Sequence, residues 1–334
     1  MRFVLAVLAA AVLFGTTGTS QALGPDGTTP FAVGVVRLLV GGTVLAIATT
    51  IAARLRRRRS PEAPRQALTA RPLVLMGLTA VCLFVYQPLF FLGTSANGVA
   101  VSTVIALGSA PVLAGLLEWA LTRRGPGALW LAATALSTLG VALLGLGGAA
   151  GGSADPVGLV ASVGAGASFA VIAVAQRRLL EAGWHPLTVV GAMGGGSAAI
   201  ALGALPFADV RWVVEPRGAL MALWLGLATI TAAYALFTWG LGGLKAATAA
   251  TLTLGEPLTA SLLGIAVLGE RLAPLSTVGL VVLGAGLLLL AWGSRSARDA
   301  PAEPGSRSAR DDPAEPGSRS AREADDPKPF AVEG

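Results

Sequence analysis

The 334-residue sequence contains one cysteine and one histidine. Cys82 alone cannot form an intramolecular disulfide, and His185 alone cannot build a multi-histidine metal site; they read as a small packing residue and a loop residue. Charge is scarce as well: 13% of residues are charged against 54% hydrophobic, and the mean hydropathy is +0.72. So little polar surface excludes a soluble fold of this length and requires lipid as the solvent. No Gly-x-x-x-x-Gly-Lys-Ser/Thr segment is present to cradle ATP phosphates, which disfavours a pump driven directly by ATP. With no metal-ligand cluster, no nucleophile and base that can be named, and no cofactor signature, the chain reads as a non-enzyme without cofactor or metal. The high pI of 10.6 would point to nucleic acid in a soluble domain. Here the arginines sit in short breaks beside apolar runs, which is the mark of membrane topology and not of a nucleic-acid partner.

What is present is a series of apolar runs near the ~20 residues needed to cross ~30 Å of hydrocarbon. They cover about residues 3–23, 30–53, 72–92, 98–121, 128–146, 157–175, 186–207, 218–239, 246–269 and 274–292. In lipid each must be a helix, because every backbone N–H and C=O has to be satisfied within its own segment. The first run, with Met1-Arg2 before it and Ser20-Gln21-Ala22 at its end, also imitates a signal peptide; internal repetition argues for its retention. The breaks alternate in charge. One set carries Arg54, Arg56, Arg57, Arg58, Arg59, Arg65, Arg71, Arg123, Arg124, Arg177, Arg178 and Lys245, and the other only Arg211, Arg217 and Arg271. This asymmetry predicts a multi-pass protein of the inner (plasma) membrane with both termini cytoplasmic.

The last 42 residues are a separate object. They hold seven of the 24 basic and nine of the 18 acidic residues, and Gly-Ser-Arg-Ser-Ala-Arg recurs at Gly293, Gly305 and Gly317. With no apolar face, residues 293–334 are expected to be a disordered, low-complexity cytoplasmic tail.

The two halves share landmarks in the same order. Phe14 and Gln21 lie seven apart in the first run, as Phe169 and Gln176 do in the sixth; Pro30 opens the second and Pro186 the seventh. The only two tyrosines, Tyr86 and Tyr234, sit at matching depths in the third and eighth, and Pro111 and Pro257 are expected to break the fourth and ninth. Five spans per half is an odd number, so the halves enter the membrane from opposite sides. The predicted fold is therefore an all-α integral membrane protein of ten transmembrane helices in two inverted five-helix repeats, 1–148 and 149–292. Such repeats place a site near the midplane, between the halves.

Ionisable groups at membrane depth are functional candidates because they are costly to keep there. Glu256 lies near the middle of the ninth run, Arg37 about seven residues into the second, and Glu118 within a turn of the inner end of the fourth. Glu118 can reach the interface and reads as structural. Glu256 stands next to Pro257, whose missing donor loosens the backbone; it is either a substrate or coupling group or the structural partner of Arg37. Arg37 has Met193 at its counterpart position, so it breaks the symmetry of the halves. Its guanidinium could hold a substrate carboxylate bidentately or pair with Glu256. Tyr86, Tyr234 and Gln21 are expected to line the path. Gly191, Gly194, Gly195 and Gly196, with Gly279, Gly284 and Gly286, are expected to let helices approach closely.

The motifs Gly-Ser-Ala-Pro-Val at 108–112, Leu-Gly-Glu-Pro-Leu at 254–258 and Leu-Gly-Glu-Arg-Leu at 268–272 make the sequence resemble the drug/metabolite transporter superfamily, and within it the ten-helix EamA-type permeases. Their Glu-Pro form is similar to the branch that includes threonine/homoserine exporters. Two departures are Leu121-Thr122-Arg123-Arg124 where the first half would end in Gly-Glu-Arg, and Phe14 where many members carry Trp. The resemblance implies a path between helices one to four and six to nine, with the fifth and tenth outside it as support and homodimer contacts. The implied function is a secondary transporter that exports or exchanges a small-molecule substrate, best matched by an amino acid or similar zwitterion, with proton coupling at Glu256. Efflux of a cationic or amphipathic compound, and a membrane sensor or scaffold without flux, stand as the other readings.

Overall fold

A computed structural model describes residues 1–59, 67–123, 125–146, 155–269 and 271–299. The described residues form twelve α-helices and no strand: α1 (Arg2–Ala22), α2 (Pro30–Arg59), α3 (Ala70–Asn97), α4 (Val99–Thr122), α5 (Ala128–Leu146), α6 (Pro156–Glu181), α7 (Pro186–Ala204), α8 (Pro216–Trp224), α9 (Ala233–Leu241), α10 (Ala246–Leu252), α11 (Gly255–Leu268) and α12 (Pro274–Asp299). They make ten membrane-spanning units, because α8 and α9 join through a π-helical stretch, Leu225–Ala232, and α10 and α11 are two pieces of one span. The tail expected to be disordered from residue 293 begins as helix instead, because α12 continues through its first repeat to Asp299; the repeats from residue 300 onward and the boundary between the predicted halves at 148/149 lie outside the described residues.

Local sequence explains where several helices start. Pro30, Pro156, Pro186, Pro216 and Pro274 each open a helix, where the missing N–H is no loss. Asp155 caps α6 by accepting the Val157 N–H at 2.8 Å, and His185 caps α7 by accepting the Leu187 N–H on Nδ1 at 3.1 Å. Partial burial and the neighbouring Arg56 hold His185 below the ordinary histidine value, so it stays neutral and free to accept. Between α3 and α4 a single residue turns the chain, Gly98 at φ +78°, which a side chain would strain.

The packing is inside-out relative to a soluble protein. Buried positions are dominated by alanine with glycine, serine and threonine, whereas Val160, Val281, Leu288 and Trp292 are about 70% exposed and face lipid. Apolar burial does not drive helix association in a bilayer, so close backbone approach and interhelical hydrogen bonds do. A Cβ on Gly194 or Gly195 would press on Leu45 or Ala46 of α2, and one on Gly196 would meet Ala80 of α3, so the α7 glycines seat that helix against α2 and α3. Hydroxyls add cross-links: Thr134 to Thr251 at 2.9 Å, Thr231 to the Gly41 carbonyl at 2.9 Å, and Ser276 to the Leu144 carbonyl at 3.0 Å.

Two glycines of the tenth span permit the close helix approach expected of them, and their partner is the fifth span. Gly279 and Gly286 of α12 lie against Gly140, Leu143, Leu144 and Ser137 of α5, so they join the fifth and tenth spans of one chain and are not free for a second copy. Only Gly284 has open space beside it.

The two prolines expected to break helices behave differently. The ninth span is broken at Thr253 and Leu254, just before Pro257. Proline cannot give the Thr253 carbonyl its i+4 donor, so that carbonyl takes the Glu256 N–H instead, at 2.9 Å and one residue closer. Pro111 does not break the fourth span, because α4 runs helically through it. Its local cost is one missing donor for the Leu107 carbonyl, which a helix held by neighbours on both sides absorbs.

Candidate functional site

Glu256, Arg37, Tyr86, Tyr234 and Gln21, which come from five different spans, line one cavity of about 80 Å³. That is several times the ~10–15 Å³ that one water requires. The walls are aromatic: Phe14 meets Tyr234 edge-on at 5.1 Å, and Tyr86 stacks on Phe90 at 5.8 Å, with Phe91 and Phe169 completing the ring wall. Polar atoms enter at few points, from Arg37, Glu256, the tyrosines, Thr17, Gln21, Gln87 and Thr253.

Arg37 and Glu256 share this space without pairing. Among the described residues neither forms an ion pair within 4.0 Å, and the ion pairs present are Arg177–Glu181 and Arg211–Asp209 near helix ends. The Arg37 Nε is buried with no hydrogen-bond partner, and so is Nε2 of Gln87, a residue of the same wall. Buried donors normally find acceptors, because an unmade hydrogen bond costs about 1–3 kcal/mol and more for charged groups. Two such donors meet in this cavity; the other buried polar atoms without a partner among the described residues, on Ser102, Trp130, Ser137, Thr138 and Trp212, lie outside it.

Backbone fit holds these groups in place. Gly34 lies one turn before Arg37, and a Cβ there would press on Gln87 and Phe91 at 3.2–3.3 Å, so the absent side chain lets α3 bring Gln87 alongside α2. Gly15 of α1 sits where a Cβ would lie 2.6 Å from Thr259 and 2.7 Å from the Glu256 carbonyl. Bulk at position 15 would therefore push α11 and displace Glu256. Glu256 itself stands in the first turn of α11, at the N-terminal end of a half-helix.

The cavity lies between the middle of the bundle and the end where α1 finishes and α2 begins, as Gln21, Val33 and Phe91 show. Contacts between spans join the helices at the opposite end. There Phe3 packs on Trp239 at 5.2 Å, Arg177 Nη1 donates to the Leu241 carbonyl at 2.7 Å, and the Ala247 N–H donates to Glu118 Oε2 at 3.1 Å. Glu118 thus holds the first turn of α10, the structural role expected of it, although through a backbone amide and not through Arg123.

The matched landmarks of the two halves are not used alike. Gln21 and Arg37 line the cavity, whereas their counterparts Gln176 and Met193 are fully buried and bond to each other, Gln176 Nε2 donating to Met193 Sδ at 3.0 Å. Thr238 donates to Gln176 Oε1 at 2.8 Å and completes that cluster. The seventh span contributes nothing to the lining, contrary to the expected path between helices one to four and six to nine, because α7 packs behind α2. Sequence reasoning also missed Gln87. Its signal was available: a glutamine between Tyr86 and the equally unremarked Pro88 at membrane depth, one turn from Phe91.

Comparison with known proteins agrees with the architecture. The sequence profile of the EamA-like transporter family matches residues 1–146 and 156–292. The uncharacterized transporter YwfM of Bacillus subtilis (strain 168) is 41% identical over 299 residues, covering 89% of this chain and 96% of YwfM. A crystal structure titled only as that of a protein superposes with a TM-score of 0.70 over 88% of this chain and 98% of the other, and at 20% identity it speaks for the fold alone. Ten membrane spans, a profile match over most of the chain and a relative named as a transporter lead to one conclusion: the chain is a membrane protein belonging to the EamA-like transporter family.

Proposed function

We propose that the chain is a secondary transporter that exports or exchanges an amino acid or a similar zwitterion. The observation that carries this reading is the pair of unpartnered buried donors, Arg37 Nε and Gln87 Nε2, in a cavity that also holds an unpaired Glu256. A substrate carboxylate satisfies the guanidinium and the amide together, its ammonium group faces Glu256, and its side chain rests on the rings of Phe14, Tyr86, Phe90 and Tyr234. Size favours a small solute: about 80 Å³ is well short of the ~300–1,000 Å³ of sites for drug-sized ligands.

The chain is read as two inverted five-helix halves, 1–148 and 149–292, that rock about this site. With the arginine-rich breaks cytoplasmic, the cavity faces outward and the Gln176–Met193–Thr238 cluster is the shut inner counterpart of the outer vestibule at Gln21. Glu256, the cavity's one carboxylate, is the group to exchange a proton for substrate and so to couple export to the proton gradient. Topology reporters fused after Arg59, Arg124, Arg178 or Lys245 of an inner-membrane protein with both termini inside should all read cytoplasmic. A periplasmic reading at any of them breaks this arrangement.

The aromatic wall with a single carboxylate favours a second reading, efflux of organic cations, for which Arg37 would have no task. The two separate in proteoliposomes loaded with labelled amino acids. Zwitterion exchange is expected to be inhibited by other α-amino acids and not by amines or amides that lack the carboxylate. Equal inhibition by simple amines would favour cation efflux, and binding without flux of any solute would mark a sensor.

A further inference from the structure

A second cavity, of about 440 Å³, lies between α2 and α7 at the end of the bundle where α2 finishes and α7 begins, away from the proposed substrate site. Its floor is made of small residues, Ala46, Thr49, Thr50 and Ala53 of α2 with Gly191 and Ala192 of α7, and its rim carries Arg54, Arg57 and Thr188. Arg56 spends its Nε on the Ala52 carbonyl at 3.4 Å. Arg54 and Arg57 have no carboxylate and no hydrogen-bond acceptor among the described residues, and the Thr188 hydroxyl is likewise uncommitted. Beside the groove, Ile47, Ile51 and Leu55 form an exposed apolar stripe one helical step round from Ala46, Thr50 and Arg54.

A topology signal needs only basic residues near the end of a span. It does not need two of them at the mouth of a cavity floored by glycine, alanine and threonine, directly above a lipid-facing aliphatic stripe. The combination has the layout of a phospholipid: fork-shaped cations for phosphate oxygens, a hydroxyl at headgroup level, and an aliphatic bed at the depth of an acyl chain.

We propose that the groove between α2 and α7 binds the phosphate headgroup of an anionic phospholipid through Arg54 and Arg57, with Thr188 as a further donor and the acyl chain laid along Ile47, Ile51 and Leu55. The occupied groove ties the start of α7 to the end of α2, the pair of helices that carry Arg37 and its counterpart Met193.

The test is native mass spectrometry of the purified full chain titrated with phosphatidylglycerol, with phosphatidylcholine and glycerol phosphate as separate arms. Arg54→Gln/Arg57→Gln is compared with Arg58→Gln/Arg59→Gln, which removes the same charge from the adjacent helix end. Phosphatidylglycerol is expected to bind in preference to phosphatidylcholine, and its affinity to fall about thirtyfold in the first double variant and less than threefold in the second. The proposal is overturned by equal losses in the two variants, which would mean diffuse attraction to basic residues. It is overturned equally by indifference to headgroup charge, or by glycerol phosphate displacing the lipid at similar concentration, which would assign the groove to a soluble phosphate. Because lipid binding is read directly, the outcome does not depend on which solute is transported.

Discussion

Arg37→Met is expected to lower the affinity for carboxylate-bearing substrates by about a hundredfold while leaving amines without a carboxylate within about threefold. The substitution copies the second half, where Met193 takes the same position. Loss of hydrogen bonds between charged groups in a site shielded from water costs about 3 kcal/mol, which is about two decades of affinity. The variant should insert and fold, because it replaces an unpaired cation at membrane depth with an apolar side chain of similar length. Competition binding to the purified protein, with an amino acid and its decarboxylated amine in parallel, separates the two classes. A parallel loss for both would mean that Arg37 shapes the cavity without touching the carboxylate. Gln87→Leu should show the same selectivity at a smaller amplitude, about tenfold, since a neutral donor is removed.

Glu256→Gln is expected to abolish accumulation driven by an imposed pH gradient and to preserve exchange of substrate down its own gradient. The side chain keeps its size and its place in the first turn of α11, so the fold should be retained. On the proposed reading, removing the cavity's one carboxylate disconnects the proton cycle while leaving the path intact. Flux in proteoliposomes under a pH step, with counterflow as the control, checks both halves of this statement. Unchanged pH-driven accumulation would exclude Glu256 as the coupling group. A simultaneous loss of counterflow would make it a substrate ligand first.

On the proposed reading the two variants address different ends of the substrate, and the absence of an ion pair between Arg37 and Glu256 gives each its meaning. Had the two side chains neutralised each other, removing either would leave a buried uncompensated charge and destabilise the fold. Unpaired, each is available to a ligand, and each loss is expected to register in binding or coupling.

Much of this was legible in the residues themselves. Ten spans follow from run length, because lipid permits a polar backbone to cross only as helix, and the depth of Glu256 and Arg37 follows from counting along those helices. The α7 glycines announced a close contact, and α7 does lie tight against α2 and α3. Pro257 was read correctly as a break and Pro111 was not. A proline removes the same donor in both places, but whether the helix parts there depends on neighbours that hold it straight or accept the turn. Gly279 and Gly286 show the same limit: a glycine advertises a close approach without naming the partner, which here is α5 of the same chain.

The sequence by itself determined the solvent, the number of spans and the few polar groups taken into the membrane, since each is a property of a segment and its energy of transfer into lipid. Only the tertiary structure decided that Glu256, Arg37, Tyr86, Tyr234 and Gln21 share one cavity, that Gln87 joins them, and that Gln176 and Met193 close on each other instead. Facing is set by helix rotation and by which small residues interlock with which, and those are relations between segments that no single segment encodes.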